Sequence, residues 1–143
     1  MLLGRPMSKG PATNLAWLAP IGRALLATIF VISGYNKLTG FNDLVGTLAK
    51  QGLPLPQVFA FGTIGIELVG GILLLVGFKA RWTALVMALF LVPATLMFHR
   101  YWSFEGAQRA SQKINFLKNL AIMGGLLMVS AQGPGRASVD GER

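Results

Sequence analysis

The sequence predicts an all-α integral membrane protein: a four-helix up-and-down bundle with a short interfacial helix between helices 1 and 2. Three observations carry this. Hydrophobic residues make up 53% of the 143, and the mean hydropathy is +0.58. Charged residues make up only 13%, against about 25% in a soluble domain. Apolar stretches long enough to cross a bilayer, about 20 residues each, recur four times and use most of the chain. That leaves room for one membrane domain, 15–132, and for no soluble enzyme domain.

Residues 1–14 read as a cytoplasmic N-terminal segment. Arg5 and Lys9 precede the first span without an acidic residue, as in a signal peptide. Arg23 interrupts the apolar core, however, the run is long for a signal peptide, and no small-x-small cleavage site follows. A retained helix over about 15–35 is expected. Between 36 and 57, Leu44, Val45 and Leu48 recur at helical spacing, which predicts the interfacial helix. Gly52-Leu53-Pro54-Leu55-Pro56 then breaks it and returns the chain to the membrane.

The second span, about 58–78, carries Gly62, Gly65, Gly70, Gly71 and Gly77. Glycines weaken a helix in water, but in a bilayer they let neighbouring backbones approach closely. This helix is expected at the crowded centre of the bundle. Lys79, Ala80 and Arg81 make a minimal charged hairpin. The third span, about 82–98, contains Pro93, a predicted kink. A wetter loop over 99–113 leads to the fourth span, about 114–131. Gly133-Pro134-Gly135 stops that helix, and 133–143 is expected to be a loose tail. Trp17, Tyr35, Trp82, Tyr101 and Trp102 fall at the predicted span ends, as an interfacial aromatic belt requires.

The net charge is +8. The basic residues cluster at span ends and not along one face, so they suit lipid headgroups and argue against nucleic acid. The short Lys79–Arg81 hairpin favours cytoplasmic termini. There are no cysteines, which excludes disulfides, thiol redox chemistry and Cys-based metal sites. No phosphate loop, dinucleotide fingerprint or catalytic triad is present.

Glu67 is the informative residue. It lies roughly 15 Å into its span, near the bilayer midplane, where a carboxylate is costly. With alternating spans, Asn36 and Lys37 at the end of the first helix, His99 at the end of the third, and Lys118 and Asn119 early in the fourth all come to the same half of the bundle. A lone carboxylate in hydrocarbon holds its proton, whereas an adjacent ammonium keeps it charged if hydrogen bonds complete both shells. Lys118 or Lys37 is the expected counter-ion, with Asn119 or Asn36 filling the remaining donors and acceptors. Three readings follow: an architectural pair that fixes helix register, a polar pocket for a small molecule or proton, or a face turned to a partner subunit. His99, the single histidine, is expected to be a hydrogen-bonded boundary residue, with proton shuttling as the alternative. Arg23 is expected to snorkel to headgroups; the alternative is that it binds carbonyls of the Gly133-Pro134-Gly135 turn. Glu67 and His99 alone do not make a closed metal site, so no metal is expected.

Gly34-Tyr35-Asn36-Lys37-Leu38, Gly52-Leu53-Pro54, Glu67-Leu68-Val69-Gly70-Gly71 and Gly77-Phe78 form an ordered set of motifs. His99, Phe116-Leu117-Lys118-Asn119-Leu120, Gly133-Pro134-Gly135 and Ser138-Val139-Asp140 complete it. In this order and spacing the chain resembles the DoxX family of small bacterial inner-membrane proteins, from about Leu15 to Asp140. The resemblance implies a four-helix bundle in the cytoplasmic membrane with its termini inside. One branch of that family is associated with a membrane subunit passing electrons from thiosulfate to quinone; other relatives are linked to oxidative-stress complexes or carry only an oxidoreductase label. This chain has no redox centre of its own and none of the soluble portion that the thiosulfate branch uses, which argues against thiosulfate oxidation.

Three functions are therefore weighed. The first is a redox-associated subunit whose polar pocket binds a quinone-type headgroup, the one cofactor expected. The second is a non-catalytic accessory or assembly subunit of a larger membrane complex. The third is a small-solute carrier, ranked last because the other half of the bundle offers only Arg23. Membrane lipid and a protein partner subunit are the expected contacts.

Overall fold

The computed structural model describes residues 14–141, which contain helices and turns and no strand. A 3-10 turn, Asn14–Trp17, leads into α1, Leu18–Thr39. Then follow α2, Phe41–Lys50, and α3, Pro56–Val76. α4 is Ala80–Phe98 and α5 is Gly106–Gln132, with a 3-10 turn, Tyr101–Ser103, between them. α1, α3, α4 and α5 are each long and apolar enough to cross a membrane. Except for Asn14, the segment expected to be a cytoplasmic N-terminus lies outside the described residues.

Helix ends differ from the apolar runs in intelligible ways. α3 starts at Pro56, a residue suited to a first helical position because its missing N–H is not needed there. α5 begins at Gly106, well before the apolar run, because Ala107, Gln108, Arg109 and Ala110 are good helix formers. Residues 106–113 of the loop expected over 99–113 are therefore helix. α2 occupies the place of the expected interfacial helix. It buries Leu44 and Leu48 against Ala60 and Ile64 of α3, and the Phe41 and Phe61 rings meet at 4.8 Å.

The bundle has one main core, built from Phe30, Leu74, Met87, Leu91 and Leu126 with Ala27, Ala84 and Ala88. Large apolar side chains such as Ile29, Ile72, Val86, Leu89 and Leu127 point outward. In lipid such exposure is free of cost, and helices associate through close packing of small residues instead. α1 and α3 show this. A Cβ on Gly34 would lie 2.7 Å from the Leu68 nitrogen, and one on Gly71 would lie 3.0 Å from Val31 and 3.1 Å from Phe30. Gly70 meets the Met87 side chain of α4 in the same way, at 3.1 Å. α5 is the outermost helix, with Leu126 its one fully buried residue among those described.

The end of the bundle that carries the α3–α4 turn is closed by the C-terminal segment. Gly77 adopts φ 72° and caps α3, with Gly77 N–H donating to Leu74 (3.2 Å) and Phe78 N–H to Leu73 (3.0 Å). Its lack of a side chain also admits Ser138, which packs where a Cβ would stand. The tail is accordingly not loose as far as Asp140. Val139 N–H donates to Val76 (2.9 Å) and Asp140 N–H to Gly77 (3.0 Å). The Asp140 carboxylate accepts from the Lys79 and Ala80 N–H groups at 2.7 and 2.8 Å, so a side chain distant in sequence caps α4. Composition alone suggested looseness because each of these bonds is made with a residue far away in the chain.

Arg23 does not snorkel. It is 3% exposed, and its guanidinium donates to the carbonyls of Pro134, Ala137 (2.7 Å) and Leu75 (3.4 Å). The carbonyl-binding alternative is the one observed: carbonyls of Pro134 and Ala137 past the end of α5, and of Leu75 in the last turn of α3, supply the acceptors. Arg81 does the same from α4, donating to Ser130 (3.1 Å), Ala131 and Gln132 (3.2 Å) at the end of α5. A cation there also suits the negative end of the helix dipole. Replacing Arg23 with Gln is expected to release the tail. Limited trypsin digestion should then cut after Arg136 several-fold faster than in the wild type, while cutting after Lys50 is unchanged.

Candidate functional site

Glu67 lies in a π turn, Gly65–Val69, in the middle of α3. A π turn interrupts the regular hydrogen-bond ladder and re-aims the side chains that follow; such turns recur at functional sites. Gly65 opens it and Gly70 follows it, and Gly34 of α1 meets Leu68 beside the carboxylate with no room for a Cβ. Sequence, local geometry and helix crossing thus coincide at one level of the bundle.

The Glu67 residue is 6% exposed and carries an ion pair with Lys37. The Lys37 ammonium donates to both carboxylate oxygens at 2.7 Å and to the Ser33 hydroxyl at 3.0 Å. Ser33 in turn donates to Oε2 at 3.1 Å. An ammonium has three protons, and all three have acceptors here. Ser33 and Lys37 are four residues apart on α1, the spacing that places side chains together on one helix face. The arrangement is a closed triangle anchored on two helices, with charge-assisted bonds of the stronger kind.

A groove of about 730 Å³ runs between α1 and α2 and ends at this triangle. Leu25, Ile29 and Ile32 form its apolar length. Ser33, Asn36, Lys37, Asp43 and Thr47 form its polar end. Lys37, its side chain 30% exposed, therefore belongs to both the buried pair and the open groove.

The remaining residues singled out in the sequence are placed differently. Lys118 is exposed on α5 and is not a partner of Glu67. Asn119 donates to the Thr95 hydroxyl of α4 at 3.0 Å, which joins α4 to α5 and not to the carboxylate. His99 Nδ1 is 2.7 Å from Gln112 Oε1, a boundary hydrogen bond between the end of α4 and the start of α5. Asn36 contributes to the groove. Depth places all of these in the same half of the bundle, but only Lys37 shares the face of Glu67. Ser33, Thr95 and Gln112 were missed. Ser33 had a sequence signal in its spacing from Lys37; Thr95 and Gln112 had none. Among the described residues no three His, Cys, Asp or Glu side chains gather as a metal site would require.

The family model for DoxX matches residues 18–100. The chain belongs to the DoxX family. Among the similar members, the inner membrane protein YphA of Escherichia coli is 32% identical over 120 residues, covering 84% of this chain and 86% of that protein. The inner membrane protein YqjF of the same organism is 34% identical over 123 residues, covering 84% and 87%. A Surfeit locus protein 4 homolog of Schizosaccharomyces pombe is 31% identical over 120 residues, covering 76% of this chain but only 39% of that protein. No solved structure matches. This DoxX protein is accordingly a multi-pass integral membrane protein of the kind its Escherichia coli relatives represent, and its intramembrane ion pair lies wholly within the family match.

The pair generates a stability prediction. Lys37→Met leaves a buried carboxylate without its counter-ion and should destabilise the bundle by up to about 3 kcal/mol. Glu67→Leu with Lys37→Met removes both charges and should recover part of that loss, since contacting partners are not additive. Thermal unfolding of the wild type, Lys37→Met, Glu67→Leu and the double variant in one detergent measures the coupling; additive losses would show that the two side chains stand independently.

Proposed function

We propose that this DoxX protein is a redox-associated membrane subunit, and that the Glu67–Lys37–Ser33 triangle receives the headgroup of a quinone-type amphiphile. The observation that supports this most directly is that Lys37 is shared between the buried pair and a groove open along lipid-facing residues of α1. A ligand reaching the triangle through Leu25, Ile29 and Ile32 needs an apolar tail and a polar head, which is the chemistry of a membrane quinone. A headgroup carbonyl arriving at the polar end competes with Ser33 for the ammonium proton at 3.0 Å, the longest of the three Lys37 contacts. Reduction to the quinol adds two electrons and two protons to the quinone. Lys37 with Glu67 would position and pass protons, and a partner subunit carrying a redox centre would supply the electrons. This reading keeps the termini in the cytoplasm, the side to which the short Lys79–Arg81 hairpin is assigned by its charge, and lays α2 along the opposite interface.

Binding of a short-chain quinone to the purified protein tests it. Lys37→Gln should weaken binding about tenfold, the scale of one lost charge-assisted bond, without loss of helical content. Equal binding by wild type and variant would remove the quinone site.

A second reading is a non-catalytic accessory or assembly subunit, favoured by Lys118. Its side chain is exposed on the outermost helix, within the stretch that reads as a membrane span. A cation there is costly unless it reaches headgroups or an acidic partner. Extraction in mild detergent should then yield the protein in a larger complex that Lys118→Leu disperses. Isolation of the wild-type chain alone under every gentle extraction would dismiss this reading.

A further inference from the structure

A second groove, unconnected with the Glu67 triangle, lies on the opposite flank of α3. It has a volume of about 340 Å³ between α3 and α4. Ile66, Val69 and Leu73 form one wall, with Val86 on the other. Its walls are almost wholly apolar, and Val69 and Val86 are more than half exposed. At the α3–α4 turn the groove ends at Phe78, Lys79 and Trp82. The Lys79 ammonium is 5.7 Å from the Phe78 ring centroid, so the charge overhangs the mouth of the apolar channel.

A polar recess of about 500 Å³ adjoins that mouth. Lys79 and Trp82 line both spaces, and Arg81, Pro134 and Asp140 contribute to the recess alone. The acidic group there is turned inward, since Asp140 accepts from the Lys79 and Ala80 backbone N–H groups. Those bonds also occupy the α4 N-terminus, so the cation available to a ligand is the side chain of Lys79, held by a left-handed residue with φ 45°. Trp82 is 71% exposed at the same level, where an indole ring suits the boundary between acyl chains and headgroups.

We propose that the α3–α4 groove binds an anionic phospholipid, with one acyl chain along Val69 and Val86 and the headgroup phosphate at Lys79. An apolar channel that opens beside a cation at span-end depth matches the two parts of such a lipid in their order. A cation near the membrane surface attracts anionic headgroups on a scale of roughly fivefold per lysine. The site is independent of the quinone reading, because it shares no residue with the α1–α2 groove.

Native mass spectrometry of the full-length protein, loaded with phosphatidylglycerol and phosphatidylcholine of equal chain length, tests the assignment. The wild type should retain phosphatidylglycerol about fivefold better. Lys79→Gln should abolish that preference, while Lys50→Gln, a lysine at the other end of the bundle, should keep it. Val86→Trp, which fills the groove from the lipid side, should reduce retention of both lipids. Equal retention by the wild type, or an equal effect of the two lysine substitutions, would overturn the proposal. So would full competition by glycerol phosphate, which has no acyl chain. The chain has no cysteine, so Val86→Cys gives a further check: a disulfide-linked dimer in native membranes would assign the groove to a second copy of the chain.

Discussion

A carboxylate at bilayer depth has to find its counter-charge inside the protein, and that requirement organises this molecule. Lys37 reaches Glu67 because α1 and α3 approach to backbone contact at Gly34 and Leu68. The approach in turn depends on glycine at 34 and 71, since any Cβ at Gly34 would meet the backbone of α3. The π turn around Glu67 is the third part of the arrangement. It re-aims the carboxylate at the helix face that α1 covers. Removing one part therefore affects the others: separation of the helices breaks the pair, and an unpaired carboxylate disfavours their association.

Ser33 gives the pair a property that a simple ion pair lacks. Its hydroxyl both donates to Glu67 and accepts from Lys37, so it completes the hydrogen bonding without adding charge. It also lines the α1–α2 groove. The polar centre is thus closed toward the core and open on the side where the walls are apolar. Toward the opposite end, the buried polar group Arg23 is taken up by carbonyls of the C-terminal segment.

The spans were legible in the sequence because hydropathy reports the lipid-immersed part of a helix directly. Glu67 stood out for the same reason: a charge interrupts a run whose composition is otherwise set by hydrocarbon. Which cation would meet it was not legible. Depth left Lys37 and Lys118 equivalent, and the choice depends on helix rotation, which four apolar faces exposed to lipid leave almost without a periodic signal. Lys118 and Asn119 show this: adjacent in sequence, one faces outward and the other bonds Thr95. The π turn was hidden because Gly65-Ile66-Glu67-Leu68-Val69 reads as ordinary helix. The tail was misread because Ser138, Val139 and Asp140 find their partners near Gly77, about sixty residues earlier, and a local reading of polar residues sees only their solubility.

The two ends of the bundle solve the same problem in opposite ways. At the α3–α4 turn, Arg23 and Arg81 are matched to backbone carbonyls and Asp140 to backbone N–H groups. Such bonds satisfy helix termini that lipid would leave bare, and they fix the tail against the bundle. At the other end, side chains are matched to one another: Lys37 with Glu67 and Ser33, Asn119 with Thr95, His99 with Gln112. Side-chain pairs can exchange a partner without releasing a backbone segment, whereas the Arg23 clamp holds the tail itself. Exchangeable side-chain partners thus gather at the Lys37 end, while at the other end side chains are bound to backbone.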